Sequence, residues 1–100
     1  MNKDLSSNDI FEILQTNQYL LKKYSVRKIG LFGSFIRKEE TKKSDIDFLV
    51  DFEEKSFDNF INLVFELEKI FNRKVDLLTE KGISPYMLPY INNEVRWYEA

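Results

Sequence analysis

The sequence contains neither cysteine nor histidine. Without thiol or imidazole, disulfides, sulfur- or nitrogen-ligated zinc sites and cysteine or histidine nucleophiles are excluded. Any metal must be held by oxygen, which favours magnesium, manganese or calcium. Glycine and proline are also scarce, three and two in 100 residues, and no repeat, low-complexity tract or Pro/Gly/Ser-rich linker marks an internal boundary. No run of 18 or more apolar residues occurs, and the opening MNKDLSSND lacks the basic-then-apolar pattern of a secretory signal. The expectation is a cytoplasmic protein without a membrane segment.

What is present, 43% hydrophobic and 32% charged residues, suffices for one core and is too little for two, so a single domain over residues 1–100 is expected. A net charge of −2 argues against a broad footprint on a nucleic-acid backbone, which needs many lysine and arginine contacts to phosphate. Strong nucleic-acid binding is not expected. The basic groups Lys22, Lys23, Arg27, Lys28 and Arg37, Lys38, Lys42, Lys43 read mainly as solvated surface.

From Ser7 the pattern predicts a capped helix with Ile10, Ile13, Leu14, Leu20, Leu21 and Tyr24 on one side, interrupted by polar Asn17. VRKIGLF, residues 26–32, reads as a first strand ending at Gly33. Ser34 to about Glu40 reads as a short helix, Thr41–Ser44 as a turn, and Asp45–Phe52 as a second strand. Ser56 can cap a longer helix whose Phe57, Phe60, Ile61, Val64, Phe65, Ile70 and Phe71 are expected to form a buried stripe. KVDLLT (74–79) reads as a third strand. A last helix is expected to start at Ser84-Pro85, with VRWYE as a short edge strand. The order predicts an α+β fold, a layered α/β arrangement of helices on a small mixed sheet.

Within the second strand, alternation puts Asp45 and Asp47 on one side and Ile46, Phe48 and Val50 in the core. Two ionised carboxylates so placed repel, and a divalent cation would relieve them. Asp76, flanked by Val75 and Leu77, can add a third carboxylate if its strand pairs with the second. Three such groups suit two hard cations roughly 3.5–4 Å apart, the arrangement that stabilises attacking and leaving oxygens in phosphoryl or nucleotidyl transfer. Gly33-Ser34 supplies a turn that lets backbone approach a phosphate, with a hydroxyl donor added. Each fragment alone also fits ordinary structure: a Gly-Ser turn, a D-x-D loop, an exposed strand-edge aspartate. Together, with ten residues between Gly-Ser and D-x-D, they are far more restrictive.

GSFIRKEETKKSDIDFLVDF, residues 33–52, resembles the G-S-x10-D-x-D signature of the DNA-polymerase-β-like nucleotidyltransferases. With RKVDLLT and the closing ISPYMLPYINNEVRWYEA, nearly the whole chain is similar to their minimal nucleotidyltransferase (MNT) branch. The resemblance implies a polymerase-β-like core, ATP as substrate, magnesium, two ions in all, and nucleotidyl transfer. It places Gly33 and Ser34 on the triphosphate and makes Asp45, Asp47 and Asp76 catalytic metal ligands, with Asp76 also helping to activate the acceptor hydroxyl. Relatives often read A-R-G-E where this chain reads Ile36-Arg37-Lys38-Glu39, a change that bears on how the following loop packs. Arg37 fits either a phosphate contact or a structural ion pair.

Many proteins of that branch are antitoxins paired with a HEPN ribonuclease toxin, and some add AMP to a toxin tyrosine. The resemblance therefore implies an AMP-transferring antitoxin of a HEPN partner, as part of a hetero-oligomer or homo-oligomer. A contact-only antitoxin and transfer to a small-molecule hydroxyl are the rival readings. Among aromatics that could meet a partner, Phe35 lies beside the phosphate turn. Tyr86 and Tyr90 are expected to face the core, which leaves Trp97-Tyr98 as the better surface candidates.

Overall fold

The computed structural model describes residues 5–99; of the single unit expected over 1–100, positions 1–4 and 100 lie outside the described residues. Four strands form one mixed sheet in the order β3-β2-β1-β4, with β1 Val26–Phe32, β2 Ile46–Phe52, β3 Val75–Leu78 and β4 Arg96–Glu99. The β1–β2 and β1–β4 pairs are antiparallel and the β2–β3 pair is parallel. The helices are α1 Ser7–Thr16, α2 Gln18–Lys23, α3 Ser34–Arg37, α4 Phe57–Phe71 and α5 Leu88–Glu94, with a 3-10 turn at Glu80–Gly82. The expected order of elements is reproduced.

The two central strands are buried along most of their length because both sheet faces are covered. One face carries the main core: Ile29, Leu31, Ile46, Phe48, Val50, Val75 and Leu77 packed against Ile10, Leu14 and Leu21 and against Leu63, Leu67 and Phe71. The opposite face carries a smaller cluster of Phe32, Leu49 and Ile91, with Leu78, Val95 and Trp97 around it. β4 fits closely against β1 because Gly30 has no side chain. A Cβ there would overlap Val95 Cγ2 and stand 3.0 Å from Trp97 Cε3.

The first helix begins at Ser7 as expected, with Ser6 as its cap. Ser6 and Asp9 form a capping box, with the Asp9 amide donating to Ser6 Oγ at 3.2 Å. The helix breaks at Asn17, whose Nδ2 donates to the Ile13 carbonyl at 2.8 Å and so competes with the backbone ladder. The buried line nevertheless continues through Leu20 and Leu21.

In α4 the expected stripe is only partly right: Phe71 is buried and Phe60, Val64 and Ile70 pack at the edge of the main core. Ser56 caps the helix, its Oγ accepting from the Asn59 amide at 3.0 Å, but the core-facing line is Leu63, Leu67 and Phe71. Phe57 is 77% and Phe65 60% exposed, while Phe60 and Val64 are partly covered. Apolar side chains surround much of this helix, so periodicity alone cannot choose the side that meets the sheet.

The last helix also starts later than expected. Ser84 and Pro85 belong to a turn, with the Met87 amide bonded to the Ser84 carbonyl at 2.9 Å, and α5 begins at Leu88 with Pro89 in its first turn. This shift turns Tyr86 (87% exposed) and Tyr90 (71%) to solvent and leaves Ile91 as the residue of α5 that is buried. The expected roles of the aromatics are thereby reversed. Trp97 packs on the second cluster under the Lys28 ammonium, and Tyr98 packs on the main core with its hydroxyl donating to Gln18 Oε1 at 3.4 Å. Phe35 is buried in the main core beneath the Arg73 guanidinium, so it is no partner surface.

α3 ends at Arg37, earlier than the sequence pattern predicts, because Lys38 adopts a left-handed conformation (φ 59°, ψ 36°) at the C-cap. This is the position where relatives are expected to carry glycine, and a side chain here costs about 1 kcal/mol. Lys38→Gly is expected to stabilise the protein by about that amount, raising Tm by roughly 4–8 °C. A thermal melt with an unchanged or lower midpoint would contradict this account of the missing glycine.

Candidate active site

The site starts from the register of two strands. Asp47 on β2 is the direct partner of Asp76 on β3 and of Phe32 on β1, so the two carboxylates leave the same sheet face, beside the smaller apolar cluster. The chain leaves β1 at Gly33, which has φ 80° and ψ −151°, a region essentially closed to other residues. Its α-carbon lies against the Asp47 carboxylate: a Cβ would overlap Asp47 Oδ2 and stand 3.1 Å from Cγ. The Gly-Ser turn and the first strand carboxylate are therefore in contact, as the ten-residue spacing requires. Arg73 holds that spacer down, its Nη1 donating to the Ser44 carbonyl at 2.9 Å and the Thr41 carbonyl at 3.3 Å.

Burial, followed by the neighbouring Asp76 charge, pushes the Asp47 carboxyl up to about 6; Asp45 adds to the rise and Arg37 opposes it. Asp45 sits immediately before β2, and Lys74 Nζ lies 3.8 Å from its Oδ2 and 3.9 Å from Asp76 Oδ1. A largely exposed ammonium thus answers Asp45 and Asp76, and Arg37 only partly offsets the charge of Asp47. Among the described residues no three His, Cys, Asp or Glu side chains are gathered closely enough to hold a metal ion between them. The chemistry of the donors suits a hard cation that phosphate oxygens help to hold: all-oxygen ligands, and a carboxylate pair that Lys74 and Arg37 relieve only in part.

Gly33, Arg37, Asp47 and Asp76 line one cavity of about 650 Å³. α4 contributes Phe60, Ile61 and Val64 to its wall, β3 contributes Val75, Leu77 and Leu78, and the α5 region contributes Met87, Tyr90, Ile91 and Glu94. Ser34, half-buried at the start of α3, and Asp45, at the entrance to β2, flank this cavity in sequence without lining it. Arg37 makes the ion-pair choice in this structure. Its Nε donates to Glu39 Oε1 at 2.8 Å and its Nη1 to both Glu94 oxygens at 3.1 Å, and these two carboxylates, Glu94 foremost, hold the guanidinium pKa above its ordinary value.

Glu94 is the site residue that sequence reasoning missed. Besides Arg37, its Oε2 accepts from the Gly33 amide at 2.6 Å. No local pattern marks a glutamate 61 positions from its partner at the end of a short helix. The exposed Met87 and Tyr90 at the cavity were missed for the same reason as the phase of α5.

A small mixed sheet with a Gly-Ser turn set against paired strand aspartates defines a nucleotidyltransferase core. Residues 8–94 match the family model described as polymerase beta, nucleotidyltransferase, and the chain belongs to that family. A provisionally named protein adenylyltransferase of Methanocaldococcus jannaschii, MJ1379, is 44% identical over 93 residues, spanning 88% of this chain and 93% of that protein. A solved structure provisionally described as a minimal nucleotidyltransferase is 25% identical, with a TM-score of 0.79 over 95% of this chain and 98% of its own. The same fold occurs in a structure of the tri-AMPylated Shewanella oneidensis HEPN toxin in complex with MNT antitoxin (18% identity, TM-score 0.63, 89% of this chain and 71% of that one). No helix among the described residues is long and apolar enough to cross a membrane.

Proposed function

We propose that this chain is a magnesium-dependent protein adenylyltransferase that moves AMP from ATP to a hydroxyl, a tyrosine in particular, of a HEPN toxin, and is thereby that toxin's antitoxin. The observation that carries the reading is the contact of Gly33 with Asp47 while Asp47 stands in register with Asp76 at the cavity. The likeness to MJ1379 supports protein as the acceptor class, and the HEPN–MNT complex supports the partner.

In this reading the Gly33 amide, the Ser34 hydroxyl and Arg37 orient the triphosphate. Magnesium held by Asp45, Asp47 and Asp76, with phosphate oxygens completing its shell, would neutralise charge on the attacking and leaving oxygens. The acceptor oxygen bonds to the α-phosphorus as the bond from that phosphorus to the bridging oxygen breaks, and pyrophosphate departs with the bonding pair. The hydroxyl proton passes to the Asp76 carboxylate. The apolar walls from α4 and the α5 region narrow the approach of water, which competes with the acceptor. Exposed Tyr86, Met87 and Tyr90 offer the partner an apolar landing beside the cavity, two of its three side chains aromatic.

The test is incubation of the purified chain and its toxin with magnesium and ATP labelled on the α-phosphate. Label on a toxin hydroxyl, located by mass spectrometry, is expected. Neutralised but unlabelled toxin would instead identify a contact-only antitoxin, and label on an added small alcohol but not on the toxin would favour the small-molecule reading.

A further inference from the structure

We propose that the Glu94 carboxylate is a built-in occupant of the phosphate site, one that an incoming triphosphate must displace before Arg37 can reach the nucleotide. The inference rests on the reading that Gly33 and Arg37 are triphosphate ligands, and it adds how access to them is controlled.

The argument is one of donors and charge. Glu94 takes both donors at once: the Gly33 amide at 2.6 Å and Arg37 Nη1 at 3.1 Å to each oxygen. The first distance lies at the short end for an amide donor, as expected of a bond to an ionised acceptor. A phosphate placed on the same donors would bring its negative charge onto that of Glu94, so the two cannot occupy the site together. Arg37 has an alternative anchor, Glu39 Oε1 at 2.8 Å, which keeps the guanidinium near the turn after Glu94 lets go.

Because Glu94 is the last residue of α5, its release also removes one tether of the helix whose Tyr90 and Ile91, with Met87 just before it, form one wall of the cavity. Phosphate binding is thereby linked to the wall against which the acceptor has to fit. An internal competitor of this kind weakens apparent affinity in proportion to the fraction of molecules in which it occupies the site.

The test uses inorganic tripolyphosphate with magnesium, read by calorimetry on the full chain, so that no transfer step is involved. Glu94→Gln keeps a neutral acceptor and removes the charge, and Glu94→Ala removes both. Both are expected to bind tripolyphosphate more tightly than the wild type, by roughly 5- to 150-fold, the range of ordinary coupling between two ligands. Unchanged or weaker binding in the two variants, with folding verified by circular dichroism, would overturn the proposal and make Glu94 a prop for the turn. Should a variant fail to fold, NMR of the wild type decides. The Gly33 amide and the Glu94 carboxylate carbon are expected to shift along one isotherm as tripolyphosphate is added, and a carboxylate signal that stays still overturns displacement. No binding to any form defeats both this inference and the phosphate-site reading beneath it. Displacement of Glu94 without AMP transfer to the toxin defeats only the proposed function.

Discussion

Asp47→Asn is expected to abolish most AMP transfer, lowering its rate by roughly 10²–10³-fold or more, and at the same time to stabilise the metal-free protein. The first effect follows from position, because Asp47 touches Gly33, the proposed phosphate ligand, and faces Asp76 across the β2–β3 ladder. Removing one group that stabilises developing charge costs about that factor. The second follows from the raised pKa of about 6. An acid whose folded pKa lies above its unfolded value contributes stability that is fully present at low pH. That contribution is lost as pH rises from near 4 through about 6 and stays lost above it. The shift of about two units sets a ceiling of ~3 kcal/mol, which partial solvent access reduces to ~1 kcal/mol.

Thermal melts in chelator should therefore coincide for wild type and variant near pH 4, where both positions are neutral. The variant should melt roughly 4–8 °C higher at pH 7. Added magnesium-ATP should reverse that order, since ligand binding to the native state stabilises in proportion to affinity. A variant that is less stable than wild type at pH 7 without metal would show that the Asp47–Asp76 pair is no source of strain.

Gly33→Ala is the second large effect. Alanine at φ 80° and ψ −151° costs roughly 1–3 kcal/mol of backbone strain wherever it occurs. Here its methyl also overlaps Asp47 Oδ2, so the turn or the carboxylate must move. Because a displacement of about 1 Å at a reacting centre costs about 10²-fold, transfer should fall at least that far. A double-mutant cycle with Asp47→Ala separates the causes. Removing the carboxylate should restore part of the lost stability by relieving the overlap, and the backbone share should persist. Strict additivity of the two melting-point changes would mean that the methyl and the carboxylate do not meet.

The balance between what was legible and what was not follows the range of the forces involved. Strand limits in VRKIGLF and KVDLLT and the caps of the longer helices depend on neighbours a few residues away, and these were read to within a residue or two. α4 and α5 show where local information stops. α4 has apolar residues on more than one side, and Phe60, Ile61 and Val64, half-buried beside its fully buried line, also became a wall of the cavity. In α5 a start four residues later than Ser84 changed which aromatics face solvent, exposing Tyr86 and Tyr90. Trp97 and Tyr98, which looked free near the end of the sequence, are occupied because β4 adds to the edge of β1.

By itself the sequence determined the chemistry on offer. Without cysteine or histidine it admits only oxygen ligands for a metal, and with Gly33-Ser34, Asp45, Asp47 and Asp76 at their spacings it has a polymerase-β-like set of parts. Those are properties of residue type and of short-range geometry, which a one-dimensional pattern carries. Only the tertiary structure decided that Asp47 meets both Gly33 and Asp76, that apolar walls stand beside them in one cavity, and that Glu94 reaches back across the fold to Gly33 and Arg37. Contacts between residues so far apart are set by the order and register of the strands, in which every side chain's face depends on pairing across the whole sheet.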